Sequence, residues 1–240
     1  MKQLQLTLES SAENLAIDEA LLETAERSIE YPEVFRIWEP LRPIVVLGRS
    51  SPIEQEANLK FCRDNGIDVL RRASGGQAIV TGPGCLMYAV LLDYRIRPEL
   101  RMLEKAHQFV MGKMQSALAT VGIKVQMQGT SDLTFEGRKF SGNSLRCKRN
   151  WLIYHGTMLC NFDLDLISSC LGKPIREPGY RAGRSHREFL TQLPTDCESL
   201  ADAMIEEWEA KDPFTDWPTE MTQRLVSQRY TNQEWTYKVR

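Results

Sequence analysis

Lys139, Arg146 and a run of small residues stand together between Glu136 and Leu159, in the stretch EGRKFSGNSLRCKRNWLIYHGTML. Lys139 precedes Ser141-Gly142-Asn143-Ser144, Arg146 follows, and His155-Gly156-Thr157 sits on a second apolar run. Two cations facing one space beside a backbone with few bulky substituents suit a ligand that is negatively charged and lies close to the main chain. A second cluster, Arg71-Arg72-Ala73-Ser74-Gly75-Gly76-Gln77, can turn its backbone N–H groups onto an anion. Its spacing fits neither GxxxxGK[ST] nor GxGxxG, and taken alone it fits a tight glycine turn with surface arginines as well. Asp132, just before Lys139, is a candidate for a magnesium–phosphate contact or for an Asx-turn that only shapes the loop.

Elements to carry these residues are legible. Leu4, Leu6 and Leu8 alternate as a half-buried strand. Ser10 and Glu13 have capping-box spacing ahead of a helix in which Asn14 and Asp18 read as a solvated polar face. Val34–Trp38 and Ile44–Gly48 read as strands joined by a proline turn, and Asn58–Asn65 as a helix capped by Gly66. Cys85–Leu92 is a near-continuous apolar run, hence a buried strand with Cys85 in the core. The apolar stripe from Leu103 to Val121 predicts one long helix from Arg97-Pro98 onward, with His107 partly exposed on it. A hairpin fits the stretch after Glu136-Gly137, with Lys139 on its first strand, the turn-forming Lys148-Arg149-Asn150 within it and Trp151–Tyr154 on its second strand. Lys173–His186, rich in glycine, proline and basic residues, has the composition of a mobile loop.

Composition narrows the classes. Hydrophobic residues are 42% and charged residues 26% of 240, ordinary for a globular protein, and no run approaches a membrane span. The net charge of −2 supplies no global field toward nucleic acid or a membrane surface, so any basic site is local. Six cysteines without a CxxC pair argue against structural zinc and a disulfide scaffold, and for a reducing cytoplasm.

Together these stretches resemble the lipoate–protein ligase A family, within the biotin/lipoate ligase superfamily. The resemblance runs from about Asn14 to Leu193. It is carried by Asn14-Leu15-Ala16-Ile17-Asp18-Glu19, Val45-Val46-Leu47-Gly48-Arg49, Arg71-Arg72-Ala73-Ser74-Gly75-Gly76, Ser131-Asp132-Leu133, Arg138-Lys139-Phe140-Ser141-Gly142-Asn143, Arg146 and His155-Gly156-Thr157. It implies an α+β fold with a mixed sheet, like the catalytic core of class II aminoacyl-tRNA synthetases. The absence of repeats and interdomain linkers in the sequence argues for a single domain over 1–240, with no full C-terminal accessory domain. The resemblance implies that lipoate or octanoate is activated with ATP and Mg²⁺ to an acyl-adenylate, and that a lysine of a lipoyl-accepting domain then takes the acyl group. Acceptors of that kind are a dehydrogenase-complex acyltransferase subunit or a glycine-cleavage H-type protein.

On the same resemblance Lys139 is the reactive-centre lysine that bridges carboxylate and α-phosphate. Ser74, Gly75 and Gly76 line the acyl chain and phosphates, with Arg71 or Arg72 as counter-charge. Arg146 is a second cation near the nucleotide, Thr157 a polar contact to it, and His155 a hydrogen-bonding wall residue rather than a general base. Arg49, Ser141, Gly142, Asn143 and Gly156 complete the expected binding set.

Three departures stand out. Gln77 replaces the usual third glycine and narrows the pocket. Thr81-Gly82 replaces a polar His-Asp. Only about forty-seven residues follow Leu193, which leaves room for a separate accessory subunit. The rivals are an octanoyltransferase working from octanoyl-acyl carrier protein, with Cys147 as nucleophile among Arg146, Lys148 and Arg149, and a non-catalytic binder of acyl-adenylate or lipoyl domains. Acceptor recognition is expected on the basic loop Lys173–Arg187 by charge complementarity.

Overall fold

Helix α1 (Ser11–Arg27) starts where Ser10 Oγ accepts the Glu13 N–H at 3.3 Å, the cap its spacing predicts. It buries Leu15, Ala16, Ile17, Ala20, Leu21, Leu22 and Ala25, so nearly all its apolar side chains leave water. Each large one removed from solvent contributes about 1.5–3 kcal/mol. The computed structural model describes residues 1–172 and 174–238.

That helix lies across a six-stranded mixed sheet in the order β10 (Asn143–Cys147), β11 (Trp151–Leu159), β6 (Cys85–Asp93), β2 (Val34–Trp38), β1 (Lys2–Gln5) and β12 (Asp212–Pro213). β1 runs parallel to β2 and β12, and the other neighbours are antiparallel. All of β2 and β6, and all of β11 except His155, are buried. Both faces are therefore covered, which is why these strands read as apolar runs rather than alternations. On the face away from α1, the helices Leu103–Thr120 and Cys197–Glu207 add Val110, Met111, Met114 and Leu200 to the core. Cys85 is fully buried there.

Two three-stranded sheets flank this centre. In one, β3 (Ile44–Leu47) lies between β4 (Asp68–Arg71) and β5 (Ile79–Thr81); in the other, β8 (Asp132–Phe135) lies between β7 (Gln126–Gln128) and β9 (Arg138–Ser141). The α+β, mixed-sheet expectation holds. The helix expected from Arg97 is broken: Pro98–Arg101 is a 3₁₀ turn, and Met102, at φ −81 and ψ 115, separates it from Leu103–Thr120. Asn14 and Asp18 correct the sequence reading most sharply. Both are buried at 2% and 6% exposure, because the Arg36 guanidinium from β2 enters between them.

Candidate active site

The geometry around Lys139 begins with a two-residue turn. Glu136 and Gly137 both have positive φ, 51° and 74°, which joins β8 to β9 with the twist a tight hairpin requires. The turn sets Lys139 opposite Thr134. Its Nζ then reaches Asp132 Oδ1 at 2.8 Å, and Tyr180 donates its hydroxyl to Asp132 Oδ2 at 2.7 Å. A side chain at Gly142 would meet Lys139 Nζ at 2.9 Å, so glycine there leaves space for the amine.

Across the cavity the loop 74–77 turns its carbonyl oxygens inward to the protein. Ser74 O accepts from Arg49 N at 2.8 Å, and Gly75 O from Arg72 Nη2 at 2.6 Å and Ser144 Oγ at 3.0 Å. Gly76 O accepts from Ser51 Oγ at 3.3 Å, and Gln77 O from Arg72 Nη2 at 3.0 Å. The N–H groups of Gly75, Gly76 and Gln77 have no hydrogen-bond partner among the described residues. A loop whose acceptors are occupied and whose donors are free is a receptor for an anion. Gly76 sits at φ +89 and Gly48 packs against its carbonyl, where a Cβ would fall 1.7 Å from the oxygen; both positions require glycine.

Arg72 organises this loop from a buried position. Besides Gly75 O and Gln77 O it donates to Ser74 Oγ at 3.1 Å and Val46 O at 3.1 Å, and burial pushes its guanidinium down to about 10. Ser74 Oγ in turn lies 2.6 Å from His155 Nε2, and His155 Nδ1 lies 3.0 Å from Asp18 Oδ2. Burial alone would raise the Asp18 pKa, but the Arg36 guanidinium 2.7 Å away and His155 outweigh it and hold the carboxyl below its usual value. Next to His155 on the same strand, Gly156 pairs with Asn143, whose side-chain oxygen would lie 1.7 Å from an added Cβ.

Lys139, Arg72, Gly76, Gln77, Asp132, Ser141, Gly142, Asn143, His155, Gly156 and Thr157 all line one cavity of about 500 Å³. Leu15, Val46, Ile79, Met87, Leu159 and Ile167 supply apolar wall. Ser74 is 3% exposed and acts on the wall through His155 and Arg72.

Five expected site residues lie elsewhere. Gly75 is exposed and does not line the cavity. Arg71 is fully buried and aimed away from the cavity: it donates to Gly48 O at 2.7 Å, Ser51 O at 2.8 Å, Trp235 O at 3.1 Å and Thr236 O at 2.7 Å. Successive strand residues point to opposite faces, so of two adjacent arginines one turns from the site. Arg49 has an exposed side chain and contributes its backbone N–H. Arg146 lies outside the cavity, against α1, bound to Glu19 at 2.8 Å and 3.7 Å from Glu23. Lys139 and Arg146 thus do not face one space. Cys147 is exposed outside the cavity, and among the described residues no cysteine lines it. Asp132 has its two carboxylate oxygens taken by Lys139 and Tyr180, and no group of three His, Cys, Asp or Glu side chains gathers for a metal among the described residues.

Sequence reasoning missed several contributors. Glu56, buried on the cavity wall, accepts the Ala78 N–H at 2.6 Å and fixes the exit of the glycine loop. Tyr180 belongs to the basic segment expected to be a mobile loop, which is instead built onto the site. Arg181 stacks 4.8 Å from the Phe189 ring, a full capping box at Ser185 and Glu188 starts the helix His186–Phe189, and Thr191 N donates to Lys139 O at 2.9 Å. Lys173, which begins that segment, lies outside the described residues. His186 lines the cavity, its pKa lowered by burial and then by Arg181 and Lys139.

The family described as the lipoyl protein ligase A/B catalytic domain matches residues 10–209. A putative lipoate-protein ligase A of Schizosaccharomyces pombe is 34% identical over 134 residues, 55% of this chain and 35% of that protein. Lipoate–protein ligase 1 of Staphylococcus aureus is 25% identical over 240 residues, covering 93% of this chain and 69% of its own length. Octanoyltransferase LipM of Carboxydothermus hydrogenoformans is 27% identical over 262 residues, 95% of each chain. The chain therefore spans about a third to two thirds of the ligases' length and nearly all of the transferase's. Among solved structures, the bi-partite lipoate protein ligase of Thermoplasma acidophilum, studied with its E2 lipoyl domain, shares the fold at TM-score 0.83 and 21% identity over 100% of this chain and 98% of that one. A lipoate-protein ligase A bound with ATP shares it at TM-score 0.80 and 20% identity, with both chains covered completely.

Proposed function

Because this chain belongs to the lipoyl protein ligase A/B catalytic domain family, we propose that it activates lipoate or octanoate with ATP and passes the acyl group to a lysine of a lipoyl-accepting domain. The observation that carries this reading is that the Lys139 ammonium and the glycine-loop residues Gly76 and Gln77, whose N–H groups have no partner among the described residues, line one cavity.

In the first step a carboxylate oxygen forms a bond to the α-phosphorus and pyrophosphate leaves. Two anions must approach, so positioning and electrostatic stabilisation dominate. Lys139 exchanges its Asp132 partner for the carboxylate and the α-phosphate, and Asp132 stays satisfied by Tyr180. The loop amides take phosphate oxygens, and the apolar wall takes the tail. In the second step an acceptor amine attacks the acyl carbonyl, AMP departs, and an amide forms. Magnesium would accompany ATP as the counter-ion of its phosphates. The arginine-rich segment 176–187 at the cavity mouth suits an acidic acceptor domain, and a separate accessory subunit is a further candidate partner. No helix among the described residues is long and apolar enough to cross a membrane.

A second reading, octanoyl transfer from acyl carrier protein, is favoured by the end-to-end match to the LipM transferase. The position of Cys147, outside the cavity, counts against it. Incubating a lipoyl-accepting domain with lipoate and ATP–Mg²⁺ in one sample and octanoyl-acyl carrier protein in another separates them by mass. Acylation in the first sample alone supports the ligase; acylation in the second alone overturns it.

A further inference from the structure

We propose that Asp18 and Arg36, which come from α1 and β2, are positioning residues for the anion-binding loop and act on it only through His155 and Ser74. This rests on the proposed acyl-adenylate chemistry and deepens it. Three contacts run in series: Arg36 Nη1 to Asp18 Oδ1 at 2.7 Å, Asp18 Oδ2 to His155 Nδ1 at 3.0 Å, and His155 Nε2 to Ser74 Oγ at 2.6 Å. Arg36 is itself fixed by Asn14 O at 2.7 Å, Asn14 Oδ1 at 3.1 Å and Leu6 O at 3.3 Å, and it is fully buried. The origin of the chain of contacts is therefore rigid.

Its end is the one residue of the loop 74–77 whose side chain is tied on two sides, by His155 and by Arg72 Nε at 3.1 Å. The carboxylate of Asp18 accepts from His155 Nδ1–H and thereby leaves Nε2 to accept the Ser74 hydroxyl proton, which orients the loop with its amides outward. A carboxylate 6% exposed, beside a cavity meant for anions, would repel the ligand were its charge not offset by the Arg36 guanidinium 2.7 Å away. The arrangement thus converts a negative group into a steering contact.

The distinguishing property is that the effects do not add. If Asp18 works through Ser74, removing the hydroxyl makes the carboxylate irrelevant to the ligand. The measurement is calorimetric binding of a sulfamoyl analogue of lipoyl-AMP to the full chain, wild type and variants. Ser74→Ala and Asp18→Asn are each expected to weaken binding by about tenfold, the scale of one net hydrogen bond. The double variant is expected to bind like Ser74→Ala alone. A multiplied loss of about a hundredfold in the double variant, or unchanged binding in Ser74→Ala, overturns the proposal. Should Asp18→Asn not fold, the cycle of His155→Gln with Ser74→Ala reads the same coupling with the same two outcomes. A wild-type chain that fails to bind the analogue would instead sink the proposed function, so the two failures are told apart.

Discussion

Lys139 and Asp132 form an ion pair at 2.8 Å inside the cavity, and the partly exposed carboxylate is shared with Tyr180. The pair holds the amine in the cavity that Gly76 and Gln77 also line. Lys139→Ala is expected to lower pyrophosphate-exchange activity by at least about a hundredfold, the range for loss of one transition-state charge contact. The same variant should unfold within about 1 kcal/mol of wild type, because the lysine side chain keeps 25% of its surface exposed and solvent-accessible pairs stabilise little. Near-normal exchange in a folded Lys139→Ala protein would remove the lysine from the mechanism.

Gly156 gives a purely steric prediction. A Cβ there would fall 1.7 Å from Asn143 Oδ1 and 2.8 Å from a Tyr88 ring carbon, both inside the sheet. Asn143 has little freedom to yield, since it donates to Ser131 O at 2.6 Å and accepts from Tyr88 at 2.6 Å. Gly156→Ala should therefore destabilise by about 1–3 kcal/mol, the usual range for overpacking. Urea unfolding reads it, and an unchanged midpoint would show that the strands separate more easily than the contacts imply.

The pH dependence of stability follows from Asp18. Burial favours its neutral form, yet Arg36 and His155 prevail and its pKa is lowered on folding. A carboxyl with a lower pKa in the folded state adds stability above its unfolded value, about 4, and loses it as pH falls through the folded value. The stability gap between wild type and Asp18→Asn should accordingly be widest near neutrality and shrink below about pH 4. Urea titrations between pH 3 and pH 7 test this, and a constant gap would mean that the charge of Asp18 contributes nothing.

Much of the site was legible because its signals are local. The Glu136-Gly137 turn, the Lys139 strand and the Ser74-Gly75-Gly76 loop each depend on neighbours within a few residues, and all stand where the sequence places them. What failed depends on facing. Arg146 has the charge for a nucleotide contact, but its direction is set by the register Arg146↔Ile153, which turns it toward Glu19. Arg71 and Arg72 are adjacent and alike, and what receives the first on the far side is backbone remote in sequence, Gly48–Ser51 and Trp235–Thr236. Asp18 read as solvated because its partner, Arg36, is eighteen residues distant.

Arg71 yields a prediction that separates structure from chemistry. Its guanidinium satisfies backbone carbonyls on two segments, Gly48–Ser51 and Trp235–Thr236, and Trp235 Nε1 donates back to Arg71 O at 2.9 Å. Arg71→Ala leaves those carbonyls without a donor, at about 1–3 kcal/mol for a buried unsatisfied group. Residues 233–238 should then be cleaved faster in limited proteolysis. Protease resistance equal to wild type would show that residues 233–238 hold their place without Arg71.

The surroundings of Cys147 count against a thioester route. It ends β10 in solvent, among side chains whose charges are engaged elsewhere: Arg146 with Glu19, and Lys148 with Glu23 at 2.7 Å. A thiol becomes a nucleophile when nearby cations stabilise its thiolate and the acyl donor can reach it. Here the carboxylates of α1 occupy those cations, and the cavity lies elsewhere. Cys147→Ser is therefore expected to acylate an acceptor domain within about twofold of wild type from either acyl donor that wild type uses, because no bond-making contact is lost. Loss of transfer from octanoyl-acyl carrier protein in that variant, with lipoate and ATP turnover intact, would establish a second acylation centre at the end of β10.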